Sequence, residues 1–126
     1  MSISKTFTEL NNTEKVDLIK ATIIADAETK RKPLYSFNPA YSFVNSFEWV
    51  REGEPVIMGD LKFYLFESLL DEGHAWLVFH VEGDESLFKI EGIKDNYNGD
   101  EWYLDTINVV TRVPKIVYEY LYVETK

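Results

Sequence analysis

The chain has 126 residues, 45% of them hydrophobic and 15% aromatic, no cysteine, and a net charge of −9. That length suits one domain with its own core, and the missing cysteines exclude disulfides, thiolate zinc sites and a cysteine nucleophile. Residues 1–45 carry six Lys/Arg against five Asp/Glu and residues 46–126 seven against seventeen, an acidic body that repels phosphate backbones, so direct nucleic-acid binding is not expected.

From Asn11 to about Lys32 the pattern is one amphipathic helix. Asn11 and Glu14 have the spacing of a capping box, and Val16, Ile19, Ile23 and Ala27 recur at helical period. Lys30, Arg31 and Lys32 suit the dipole at its end, and Pro33 stops it. Residues 33–45 hold two prolines and four rings, Tyr35, Phe37, Tyr41 and Phe43, and read as a long aromatic crossover. From Ser46 the period changes to strands between turns: SFEWVR, VIM, LKFYLFESLL, HAWLVFHV, SLFKIEGI, EWYLDTINVV and, after Pro114, KIVYEYLYV. The expected class is α+β: a single domain, 1–126, with an N-terminal helix packed on a strongly curved antiparallel sheet of five to seven strands, the meander running over 46–124.

KDNYNGDEWYL, Lys94 to Leu104, invites a calcium reading because Asp95, Asn96, Asn98, Asp100 and Glu101 crowd it. The EF-hand register fails, since Tyr97 takes the third position and Gly99 falls one place early. Asn98-Gly99 reads instead as a type I′ hairpin turn. On the strand beyond it Trp102 and Leu104 face one way and Tyr103, Asp105 and Ile107 the other, so Trp102 is expected inside and Tyr103 half exposed. Tyr97, Asp100, Glu101 and Tyr103 then form an acidic-aromatic rim suited to a basic groove on another protein. The last strand adds Tyr118, Tyr120 and Tyr122, three rings on one face that fit a binding surface or a homodimer seam.

His74 and His80 share one strand face with no other soft ligand near them in sequence, so no metal site and no cofactor are expected. There is no phosphate loop, nucleophile elbow or zincin motif, and the paired acids Asp84-Glu85 and Asp100-Glu101 fall at turns where carboxylates stay solvated. A non-enzymatic protein is the expectation. No run approaches the roughly 18 apolar residues of a membrane span and no leader is evident, so a soluble, cytoplasmic protein is expected.

The segment from about Leu61 to Tyr120, with WLVFHV, FKIEGIKDNYNGDEW, LDTINVV and VPKIVYEY in that order, resembles a group of small phage-encoded proteins of unassigned function. Those proteins similarly end in a Gly-x-Glu-Trp turn, a Val-x-Pro and a Val-x-Tyr-Glu strand; their glycine-rich run is reduced here to Asp71-Glu72-Gly73. The resemblance implies a phage accessory role directed at the host and carries no catalytic residue over. The leading expectation is an acidic protein that binds and inhibits or redirects a host protein, in host takeover or anti-defence. One alternative sequesters a nucleotide or similar ligand by stacking on Trp49, Tyr64, Phe66 or Trp76; another is a self-assembling structural protein.

Overall fold

The computed structural model describes residues 6–30, 38–71, 73–95, 99–114 and 123–125. The basic run Arg31-Lys32, Pro33, Tyr35, Phe37, Tyr97, Asn98 and, except for Val123, the strand expected from Lys115 to Val123 lie outside the described residues.

After a short 3-10 turn at Phe7–Glu9 the first helix, α1, spans Asn12–Lys30. Its start is the reciprocal cap read from the sequence: the Glu14 N–H donates to Asn11 Oδ1 (2.8 Å) and the Asn11 N–H to Glu14 Oε1 (3.1 Å). Together these satisfy two donors that a helix N-terminus leaves open. Ile19, Ile23 and Ala27 are buried as the period required, but Leu18 and Ile24 remain exposed on the other side, so the helix is less amphipathic than expected.

The aromatic crossover is in part a second helix, α2, over Pro39–Ser46. Asn38 caps it by accepting from the Ala40 and Tyr41 N–H groups, and Pro39 occupies the first turn, where a missing N–H costs nothing. Ala40, Phe43, Val44 and Phe47 follow at helical spacing and are buried, so the strand expected at SFEWVR does not form. That periodicity continues from α2 into Phe47, and Trp49 is left 82% exposed in the turn beyond it.

Five antiparallel strands follow: β1 (Val56–Met58), β2 (Leu61–Leu69), β3 (Gly73–Val81), β4 (Leu87–Lys94) and β5 (Glu101–Val110). They pair in the order β1-β2-β3-β4-β5. The class is therefore α+β with an antiparallel sheet. The strong curvature expected from the sequence is not found: the meander is open, with β1 and β5 at its two edges.

One face of the sheet joins the helices. Phe63, Leu77, Phe79, Phe88 and Ile90 form a buried cluster with Ile19 and Ile23 of α1 and Phe43 of α2. Phe43 is its hub, in edge contact with Phe47, Phe63 and Phe79 at 5.0–5.2 Å between ring centroids. Cover that the sequence reading gave to α1 alone is thus shared between two helices. Lys15 and Asp84, side chains 9% and 2% exposed, form an ion pair (2.9 Å) tying α1 to the β3–β4 turn. No described helix is long and apolar enough to cross a membrane.

Candidate functional site on the open sheet face

Alternation along the strands sends the other set of side chains to the face away from the helices. The registers place them in rows. Leu69, Trp76, Glu91 and Tyr103 lie side by side across β2 to β5, and His74, Ile93 and Glu101 form the next row toward the β4–β5 loop. Glu67, Val78, Lys89 and Asn108 form the row on the opposite side of the first.

Two irregularities aim particular side chains. The β2–β3 register shifts between Leu65 and Glu67, leaving Phe66 as the extra residue of a bulge. The β4–β5 register shifts between Lys89 and Glu91, where Leu104 to Ile107 oppose Ile90 alone. Thr106 stitches that wider bulge: its hydroxyl accepts from the Glu91 N–H (2.8 Å) and donates to the Tyr103 carbonyl (2.6 Å). Strict alternation would have put Ile107 on the face of Tyr103; the bulge turns it into the core, fully buried.

Of the residues expected at the acidic-aromatic rim, Glu101 and Tyr103 come together. The Tyr103 hydroxyl donates to Glu101 Oε2 at 2.7 Å. That hydrogen bond, followed by partial desolvation and the charge of the same carboxylate, holds the Tyr103 phenol above its ordinary pKa of 10.0. Around the pair Leu69 is 39%, Tyr103 39% and Ile93 47% exposed. Asp100 does not join them; it lines a cleft with Tyr41, Glu48, Lys94 and Trp102 on the α2 side. Tyr97, Tyr118, Tyr120 and Tyr122 lie outside the described residues. Trp102 is buried, as expected, against Gly92, its partner in register.

The Gly99 backbone sits at φ +87°, as a turn glycine should, but the turn is not the two-residue hairpin expected. Ile93 pairs with Glu101, and the Gly99 N–H donates to the Asp95 carbonyl (2.9 Å), so the loop is longer. His80 stacks on Tyr64, ring centroids 5.2 Å apart, and His74 approaches Glu91 at 3.7 Å. No group of three or more His, Asp or Glu among the described residues is placed to hold a metal ion.

Toward the other end of this face lies a groove of about 420 Å³ lined by Phe66, Trp76, Val78, Leu87, Lys89 and the stretch from Val110 to Val113. Lys89 Nζ stands 5.6 Å from the centroid of the Trp76 ring, and the Arg112 guanidinium 5.5 Å from that of Phe66. Of the four rings considered for stacking, two therefore share one groove. Tyr64 lines a different cleft, beside Arg51 to Glu54, and Trp49 lines neither. Sequence reasoning missed both cations: Lys89 reaches Trp76 diagonally from the neighbouring strand, and Arg112 follows β5, three strands away from Phe66. No protein-family model, curated protein or solved structure matches the chain.

Proposed function

We propose that this protein is a non-enzymatic binding protein that docks a basic surface of another protein on the open face of its sheet. In line with the resemblance to phage-encoded accessory proteins, the partner is a host protein that it inhibits or redirects. The observation that carries the reading is the exposed cluster of Leu69, Ile93 and Tyr103 interleaved with Glu91 and Glu101. Apolar side chains of this size, set on rigid strands and rimmed by carboxylates, supply contact area at small entropic cost, while the acids select a cationic partner and speed encounter. The hydrogen bond from Tyr103 to Glu101 holds one ring and one carboxylate in place before any partner arrives.

The test is capture from host lysate with the wild-type protein and a double variant, Glu91→Lys with Glu101→Lys, at low and high salt. A protein retained by the wild type at low salt, released at high salt and absent from the variant supports the proposal. Identical capture by both proteins, or no capture at any ionic strength, sinks it.

A further inference from the structure

We propose that the groove at Phe66, Trp76, Lys89 and Arg112 binds a small planar aromatic anion of the nucleoside monophosphate type, its ring against Trp76 and Phe66 and its anionic group on Arg112 and Lys89. The groove adjoins the acidic cluster of the same sheet face, Trp76 lying between Leu69 and Glu91 and Lys89 pairing with Glu91, but the inference stands without the protein-docking reading. Its volume, about 420 Å³, lies within the roughly 300–1,000 Å³ of small-molecule sites. Its two rings lie on a rigid four-strand ladder, Trp76 within β3 and Phe66 aimed by the bulge of β2.

Charge selects the ligand class. The lining carries two cations, Lys89 and Arg112, with Glu67 as its one carboxylate, in a chain of net charge −9. The cleft beside α2 has Glu48 and Asp100 against Lys94, the cleft between α1 and Gly59 has Asp26 and Asp60, and the cleft beside Arg51 has Glu52, Glu54 and Glu67 against that one arginine. A fifth cleft, between α1 and β5, balances Asp17 with Lys20; an anion is repelled from the three acidic clefts, and of the five it meets two cations in the groove at Trp76. Lys89 shares Glu91 at 3.3 Å, but Arg112 has no carboxylate partner among the described residues. Its guanidinium stands 5.5 Å from the centroid of Phe66, and its planar fork suits two oxygens of a phosphate or carboxylate. A ring bearing a single anionic group satisfies both halves of the groove at once. An uncharged ring leaves the guanidinium without an anion, and a bare anion makes no use of the two rings.

The full chain, labelled with nitrogen-15, is titrated by NMR with AMP, UMP, adenosine and inorganic phosphate to millimolar concentration. Saturable shifts are expected for at least one monophosphate at the Trp76 indole and the amides of Phe66, Lys89 and Val110 to Val113, with adenosine and phosphate each binding more weakly. Arg112→Gln, an exposed change, is expected to weaken that binding about tenfold, and Lys89→Gln to weaken it in the same direction. Any of four results overturns the proposal: no saturable shift with either monophosphate, shifts that map to another surface, wild-type affinity in both variants, or adenosine or phosphate binding as tightly as the monophosphates.

Discussion

A Cβ on Gly92 would collide with the Glu101 carbonyl and with the ring of Trp102, which packs onto the bare glycine across the β4–β5 ladder. The glycine is there for close approach, since its backbone is ordinary strand. Gly92→Ala is expected to lower unfolding free energy by about 1–3 kcal/mol, as overpacking a tight contact does, measured by urea denaturation. At Gly99 the reason is different: φ is +87° with open space around the missing Cβ. Gly99→Val therefore costs about 1–2 kcal/mol through backbone strain alone, and Gly99→Asn, which tolerates positive φ, should recover most of it. A third residue-scale prediction concerns Tyr103. Because its phenol keeps its proton by donating to Glu101, it ionises above the ordinary tyrosine value; the folded form holds that proton where the unfolded chain has begun to lose it. The sign follows: this contribution to stability is complete below pH about 10 and is lost as pH rises through the folded pKa. Glu101→Gln should move the Tyr103 titration, followed by ultraviolet absorbance, toward lower pH. An unchanged titration would mean that the hydrogen bond does not persist in solution.

At the scale of elements, the parts written locally were legible. The Asn11–Glu14 cap, the alternation in β3 and the turns at Gly53 and Gly83 each act within a few residues, and each was readable from the chain. α2 was missed although its start signal, Asn38-Pro39, is in plain view, because its rings drew the reading toward irregular packing. The face of Ile107 was missed because a wide bulge shifts the register and nothing in LDTINVV announces it. The Lys15–Asp84 pair joins residues 69 apart and has no local signature at all. These hidden elements carry stability as well. Phe43→Ala removes the ring that touches Phe47, Phe63 and Phe79, and is expected to cost about 3–5 kcal/mol. Asp84→Ala strands a buried ammonium and should cost about the same, whereas Lys15→Met together with Asp84→Ala should recover part of the loss. If the double variant proved less stable than Asp84→Ala alone, unpaired burial of Lys15 would not be the source of the cost.

For the whole molecule, the described helices pack on one face of the sheet, and the proposed docking surface lies on the other. Net charge and local charge on that face then give separable effects. Glu91→Lys with Glu101→Lys changes the net charge from −9 to −5, two charges for each replacement. Asp17→Lys with Glu28→Lys makes the same change on exposed positions of α1, on the helix side of the sheet. Both pairs replace exposed or half-exposed carboxylates, so each double variant should stay within about 1 kcal/mol of the wild type by thermal unfolding. If the acidic character served only to keep the protein soluble and attract cations at long range, the two variants would slow association with a captured partner equally. If the partner docks on the sheet, only the Glu91/Glu101 variant should also dissociate faster, because contacts at the interface act mainly on the off-rate while distant charges act on encounter. Association and dissociation rates measured by surface plasmon resonance at two salt concentrations separate these cases. An off-rate that changes equally in both variants would move the binding surface away from the open sheet face.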